Sequence, residues 1–388
     1  MPKVSSKKFF TEQTAHSRVK ADIVYKYVVG WATIVLNRKF NGTGEAAYID
    51  LFSGPGSYED GTKSTPLLIT EEVLKKAHLR DGLRTFFNDI DPSLTNSLKQ
   101  EIGALPQIKA LRHTPFFSSM PAGVALIESL GLSREVPQFY FLDQFGWAEI
   151  TPVLVQRIFL NRKCDCAFFF RTPRVVAAVS NPNSEQTMIS LFGKPGLESL
   201  REEFKKRPRE KETIVLERLR ATMKEAGAAY FQPFPFRVSG VNSSRQHLIY
   251  LGKHPKGLEL MKDIMAASST MHHGGVPVMG FTDGPEQADL FTQDPIPELQ
   301  EQLLHEFAGR TVTVGEVFEE HHVTSERYIL RNYQEALRRL EASSRVQTKP
   351  AAPQRPKRSG IVTMSETVNI TFPTSRRFDE SAHINRMD

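Results

Sequence analysis

The sequence predicts an α/β fold: a Rossmann-like sheet closed by an antiparallel hairpin, followed by a C-terminal winged helix-turn-helix domain. Three observations carry this prediction. Apolar runs of strand length alternate with helix-patterned stretches from residue 46 to about residue 180. Two extended runs, 230–238 and 246–252, then flank Ser239-Gly240-Val241-Asn242-Ser243-Ser244, which is a hairpin signal. Beyond residue 297 the order becomes helix, strand, helix, turn, helix and two extended runs. The expected boundaries are a flexible N-terminus over 1–15 and a first domain over 16–269. A linker over 270–296, a winged-helix domain over 297–372 and a disordered tail over 373–388 complete the chain.

At 388 residues the chain has room for one large and one small domain. Its 40% hydrophobic and 24% charged residues are those of a soluble globular protein. The sequence has no apolar run of membrane-spanning length and no signal-peptide core. Two cysteines, Cys164 and Cys166, exclude a disulfide framework, and a C-x-C pair alone cannot complete a zinc site. The expected setting is a reducing cytoplasm. A net charge of +6 leans towards polyanionic partners.

The first helix is expected over 16–37, with Ile23, Val24, Tyr27, Val28, Trp31, Ile34 and Val35 at helical spacing. His16 and Lys20 lie one turn apart at its start. They are either a solvated helix end or a lid beside a pocket. The strand at 46–52 follows and breaks into Ser53-Gly54-Pro55-Gly56, with Asp50 near its end. A strand that ends in Gly-x-Gly lets a ligand approach the backbone, because glycine has no side chain in the way. A third glycine at the dinucleotide-binding spacing is missing, since position 59 is Glu59. The next helix runs from Pro66 to about His78, with Ser64 or Thr65 as its cap.

A second strand over 84–92 ends in acids, and a helix follows over 93–102. An acid at that strand end is placed to accept hydrogen bonds from ribose hydroxyls, a role assigned to Asp89, while Asp91 is the alternative or a helix cap. A third strand is expected to end at 111–114, putting His113 or Thr114 near an adenine. A helix is expected near 122–130. The fourth strand, 138–142, exits through Asp143-Gln144-Phe145-Gly146-Trp147. An acid followed by aromatics at a strand exit is the shape of an acceptor site. The competing reading makes Asp143 the cap of a helix over 148–159. A fifth strand at 165–171 is flanked at its start by the cysteines, read as core residues. Helices are expected at 198–211, broken by Pro208, at 212–226 and at 258–267.

In the last domain, helices are expected at 298–307, 315–322 and 325–342, with strands at 310–314, 345–348 and 361–372. The third helix carries Arg327, Arg331, Arg338 and Arg339. Between His322 and Arg358 nine Lys and Arg residues face three acids, a local excess of +6, which suits a phosphate-binding surface. A winged helix used only for protein contacts is the competing reading. His272-His273 lacks partners at ligand spacing, so no metal site is expected.

Four pieces together resemble the three-Cys-motif partner proteins (TcmP): YIDLFSGPGSYEDGTK at 48–63, Asn88–Pro92 as NDIDP, the 143–147 exit, and YLGKHPKG at 250–257. The helix bearing His16, Lys20, Tyr27 and Trp31 also fits, and the resemblance spans about residues 9–345. It implies an S-adenosylmethionine-dependent methyltransferase-like protein that works with a partner carrying a three-cysteine motif of radical S-adenosylmethionine type. The family's strand exit reads Asp-Pro-Phe-Gly, and this chain departs from it at Gln144. On this basis Asp50, Gly54 and Gly56 are expected to hold the methionine end of the cofactor, Asp89 the ribose and His113 the adenine. Asp143 would orient the acceptor amine, and Phe145 or Trp147 would stack on a nucleic-acid base, DNA or RNA. Two other readings stand beside it: a non-catalytic nucleic-acid-docking partner that keeps the fold, and a small-molecule methyltransferase.

Overall fold

A computed structural model describes residues 14–37, 44–144, 150–237, 245–273, 276–277, 279–282 and 294–374. The chain divides into two compact units, 1–268 with 280–285, and 269–279 with 286–388.

The first unit opens with α1 (Ala15–Val35), whose first turn is closed by Thr14 accepting from the Ser17 N–H. Most of its expected apolar stripe is buried: Ile23, Val24, Tyr27, Val28 and Trp31 are in the core, whereas Ile34, in the last turn, is exposed and Val35 half-buried. Then come β1 (Ala46–Asp50), α2 (Thr65–Lys75), α3 (Ala77–Gly82), β2 (Leu83–Asn88) and α4 (Pro92–Gly103). Next are β3 (Phe116–Ser118), α5 (Val124–Ser129), β4 (Gln138–Leu142), α6 (Pro152–Phe159), β5 (Cys164–Phe170) and α7 (Thr172–Val179). The unit continues with α8 (Glu185–Lys206), α9 (Lys211–Glu225), β6 (Tyr230–Arg237), β7 (Arg245–Gly252) and α10 (Pro255–Ala267). Two short strands of the second unit, β8 (His272–His273) and β9 (Val276–Pro277), pair with each other within the stretch read as a linker. β10 (Phe281–Thr282) then adds to the large sheet beside β6.

The sheet runs β10-β6-β7-β5-β4-β1-β2-β3. β1 to β5 are parallel, and β7 runs antiparallel between β5 and β6. Helices cover both faces of such a sheet, so its central strands are apolar throughout: every residue of β1, β4 and β5 is buried. The inserted antiparallel strand separates this sheet from a plain dinucleotide-binding one. The fold is that of Rossmann-like methyltransferases.

The third strand is Phe116–Ser118, not a run ending at 111–114. Residues 108–110 form a single 3-10 turn, entered through Gln107 at a positive φ of 65°. The strand is a three-residue edge, too short and too exposed to show periodicity, and Pro115 hides its start.

The second unit contains α11 (Ile296–Glu306), β11 (Thr311–Thr313), α12 (Val314–His321), α13 (Leu330–Ala342), β12 (Gln347–Lys349), β13 (Lys357–Arg358), β14 (Ile361–Val362) and β15 (Asn369–Thr371). β11, β15 and β12 form one antiparallel sheet. Leu299, Leu303, Phe307, Val317, Tyr333, Leu337 and Ile370 fill the core between sheet and helices. This is a winged helix. β13 and β14 form a hairpin whose turn residues, Ser359 and Gly360, both take positive φ, the two-residue turn that matches strand twist. The longest helix starts at Leu330 rather than at 325, because the Asn332 side chain accepts the Ile329 N–H and sets the first turn there.

Candidate active site

A cleft lies at the carboxyl ends of β1, β2 and β4. The strand order reverses between β1 and β4, and ligands of open α/β sheets bind at such switch points. The cleft is lined by Asp50, Ser53, Gly54, Tyr58, Ser64, Asp89, Phe141 and Asp143, among others. Four of the expected residues, Asp50, Gly54, Asp89 and Asp143, therefore meet in one place.

Asp50 closes β1 and is 1% exposed. Its carboxylate accepts from the Tyr48 hydroxyl at 2.9 Å and from the Phe52 N–H at 3.0 Å. Burial pushes it up to about 7; those two hydrogen bonds pull against the shift, and the charges of Asp143 and Asp89 add to it. Asp89 follows β2 directly. One of its oxygens accepts the Gly54 N–H at 3.1 Å and the other accepts the Asp91 N–H at 3.0 Å. Asp89 thus ties the glycine turn to the start of α4, and each oxygen keeps a further lone pair for a ligand. Its carboxyl is also raised, chiefly by burial. Asp91 is the cap of α4, accepting from the Ser93 N–H at 2.9 Å.

The glycine turn is held by backbone geometry. Gly54 and Gly56 take φ of 68° and 97°, the left-handed region open to glycine. A Cβ on Gly56 would also lie 3.0 Å from Glu101 Oε1 and 3.2 Å from Leu98 Cδ1. The Ser57 N–H donates to the same Glu101 oxygen at 3.1 Å, so α4 packs against the turn from below.

Asp143, at the exit of β4, is not a helix cap. It is bound by the ammonium of Lys20, which is itself buried and lies 4.6 Å from the centre of the Phe169 ring. α1 thereby reaches the carboxyl edge of the sheet. His16, one turn earlier, contacts the Arg237 carbonyl at 3.1 Å and packs against Phe236 and Phe281. Gln144 is 1% exposed. Phe145 and Trp147 lie outside the described residues.

Two residues not singled out as ligands also line the cleft. The hydroxyls of Ser53 and Ser64 are buried and have no hydrogen-bond partner among the described residues. Ser64 stands at the cap position of α2 but its side chain makes no capping bond. A cap position was legible in the sequence; the unused hydroxyl was not. Three carboxylates, two unspent hydroxyls and a backbone turn without side chains make a cleft suited to a cationic, hydroxyl-bearing ligand.

His113 is a correction. It precedes β3 instead of following it, so it sits at the amino end of the sheet, 3.7 Å from Glu45, the residue before β1. It lines a separate cavity with Arg84 and Arg112, away from the glycine turn.

In the winged unit, most of the arginines are already engaged. Arg327 precedes α13 and pairs with Glu298 at 3.2 Å; Arg338 pairs with Glu335 at 2.8 Å. Arg339 is held between Asp294 and Glu335, and Arg345 pairs with Glu301. The buried Arg355 is bound to Glu341. Arg331, Lys349, Lys357 and Arg358 have no ion pair among the described residues, and all four are exposed. The free basic surface is therefore Arg331 with the hairpin, not the row of four arginines the sequence suggested.

Among the described residues no cluster of His, Cys, Asp or Glu could hold a metal ion, and no helix is long and apolar enough to cross a membrane.

Residues 281–353 match a family described as a GMT-like wHTH domain. No curated protein matches the chain. Among solved structures it is similar to the DszA carbon methyltransferase, at 14% identity and a TM-score of 0.38 over 64% of this chain and 57% of that one. It is similar to the METTL16 MTase domain at 11% identity and a TM-score of 0.30, over 58% and 66% of the two chains. SMU.1697c from Streptococcus mutans, solved in complex with SAH, aligns at 9% identity and a TM-score of 0.28, over 53% and 88%. The chain spans less than two thirds of the first of these. The fold assignment rests on the strand order of the sheet.

Proposed function

We propose that the chain is an S-adenosylmethionine-dependent methyltransferase that acts on nucleic acid, with an amino group as the favoured acceptor. The observation that carries this reading is the meeting of Asp50, Asp89 and Asp143 with the unspent hydroxyls of Ser53 and Ser64 around the glycine turn. The cofactor brings a sulfonium and an ammonium, and three carboxylates against one buried lysine complement those charges. When bound it supplies an electrophilic methyl group. Asp50 with the 54–56 turn would hold its methionine portion, and Asp89 its ribose hydroxyls through the lone pairs that the backbone leaves open. Asp143 would orient the acceptor amine or take its proton, once Lys20 gives way. Phe145 or Trp147 would stack on the base.

The winged unit supports nucleic acid as the partner through Arg331, Lys357 and Arg358. The TcmP resemblance adds a three-cysteine-motif protein as a second partner, and the sparse cysteine usage fits a cytoplasmic setting. The test is transfer of a tritiated methyl group to total RNA and total DNA, with and without that partner. Label in one nucleic acid supports the reading; none in either, with a correctly folded protein, removes it.

One observation favours a second reading. The acid meant for the acceptor is already spent on Lys20. A docking subunit that keeps the cofactor fold without transfer would tolerate that. Calorimetry with S-adenosylmethionine separates the two: binding with no transfer to any nucleic acid selects the docking role.

A further inference from the structure

The second cavity of the first unit is a site of its own. β3 pairs with β2 only from Phe86 onward, through Phe86↔Phe116, Phe87↔Phe117 and Asn88↔Ser118. Residues 83–85 therefore have no strand partner on that side, and a notch of about 360 Å³ opens at the sheet edge. Its lining includes Arg84, Thr85, Arg112, His113, Thr114 and Phe116, and no residue is shared with the cleft around the glycine turn.

The chemistry of the lining is one-sided. Two arginines, a histidine and three hydroxyl residues, Thr85, Thr114 and Ser129, line the space, and no acid lines it. Glu45 stands at the margin, 3.8 Å from Arg84 Nη1 and 3.7 Å from His113 Nε2, beyond hydrogen-bond distance of either. Arg112 is exposed and has no ion pair among the described residues. One polar group in the wall is spent on nothing: the His113 Nε2 is buried without a hydrogen bond. Native structures satisfy nearly all such groups, so one beside a cationic cavity calls for a ligand that completes it. Burial holds His113 below the usual imidazole range, and the Arg84 and Arg112 charges push the same way against Glu45, so the ring is a neutral donor or acceptor at pH 7. Beside the arginines, Phe116 is 46% exposed and its ring lies 5.8 Å from that of Phe86. This gives an apolar surface next to the cations.

We infer that this notch binds a phosphate group, held by Arg84 and Arg112 and completed by His113. Planar guanidiniums in a half-buried wall match phosphate oxygens in two-point contact. Its source is either free phosphate or the phosphate monoester of a nucleotide, whose flat base would lie on Phe116. The inference is independent of the proposed methyl transfer.

The test is calorimetric titration of the full chain at low salt with inorganic phosphate and, separately, with adenosine 5′-monophosphate. Saturable binding of either, weakened at least fivefold in Arg112→Ala, supports the site. Tenfold tighter binding of the nucleotide than of phosphate identifies the nucleotide as the source; equal affinities identify free phosphate. His113→Phe removes the unspent ring nitrogen while keeping a planar ring, so it should fold as well as the parent and bind at least threefold more weakly. Affinity for S-adenosylmethionine should not change in either variant. No binding of either probe at millimolar concentration overturns the inference. So does binding that Arg112→Ala leaves intact, or a nucleotide displaced competitively by S-adenosylmethionine.

Discussion

Lys20 holds Asp143 across 123 residues of sequence. The lysine side chain is 8% exposed and the aspartate 26%. A pair this buried is strongly destabilised when one member is lost, because the other charge stays behind unpaired. Lys20→Ala should cost about 2–3 kcal/mol, somewhat less than a fully enclosed pair because water reaches part of Asp143. Lys20→Arg, which keeps the charge, should cost less than half of that. Urea unfolding midpoints measure both, and equal losses in the two variants would show that the charge is not what matters.

The same pair makes a catalytic prediction. Asp143→Asn should leave S-adenosylmethionine binding within about threefold, since Asp50, Asp89 and the glycine turn are untouched, while methyl transfer drops by about 100-fold or more. Calorimetry and label transfer read the two effects apart. A parallel loss of both would place Asp143 among the cofactor ligands.

The pH dependence has a defined sign. Asp50 titrates near 7 in the folded protein and near 4 when unfolded, so the native state holds more protons between those values. Its contribution is fully present below about pH 4 and is lost as the pH rises through about 7. Asp165, buried with Tyr27 and Tyr250 and pushed up to about 6 by that burial, acts in the same direction. Stability should fall between pH 4 and pH 7, and Asp50→Asn should flatten the profile. Binding has the opposite sign: a cationic cofactor prefers ionised Asp50, so its affinity should rise up to tenfold per pH unit below about pH 7 and level off above it. Thermal melts and calorimetry across pH 5–8 check the two slopes.

Gly56 and Gly61 form a matched pair of tests. Both take positive φ, but a Cβ at Gly61 meets nothing within 4 Å, whereas one at Gly56 meets Glu101 and Leu98. Gly61→Ala should cost only backbone strain, about 1 kcal/mol. Gly56→Ala should cost about 2–3 kcal/mol and weaken cofactor binding by tenfold or more, because Ser57 and Asp89 would lose their register. Equal effects in the two variants would remove the packing argument.

In the winged unit the free cations should behave differently from the paired ones. Arg331→Ala, Lys357→Ala and Arg358→Ala should each weaken nucleic-acid binding and lower the salt slope by about 1, with little change in stability. Arg339→Ala should instead destabilise the unit, since Asp294 and Glu335 would lose their shared partner. Mobility shifts across a salt series and unfolding midpoints report these separately. Loss of binding in Arg339→Ala alone would restore the helix as the contact surface.

Much of this was readable from local pattern. The central strands are short unbroken apolar runs, the glycine turn follows the first of them, and the acids stand at strand ends, so Asp50, Asp89 and Asp143 could be named from position alone. The failures share a cause. β3 is an edge strand of three residues, with no periodicity to read, and misplacing it carried His113 to the wrong end of the sheet. Three of the four arginines are paired: Glu298 and Asp294 are brought to Arg327 and Arg339 by packing, whereas Glu335 stands one turn from Arg338 and Arg339 on the same helix, where the sequence already shows it.

The sequence by itself determined the alternation of strands and helices, the antiparallel closure, the winged helix and the three strand-end acids. Those depend on hydrophobic period, glycine and strand ends, which act within a few residues. Tertiary structure alone decided that Lys20 occupies Asp143, that Ser53 and Ser64 keep their hydroxyls unspent, and that Arg331 and the hairpin carry the free charge. These depend on which groups meet across the sheet and on which buried polar atoms find partners, and contacts of that range leave no mark on local pattern.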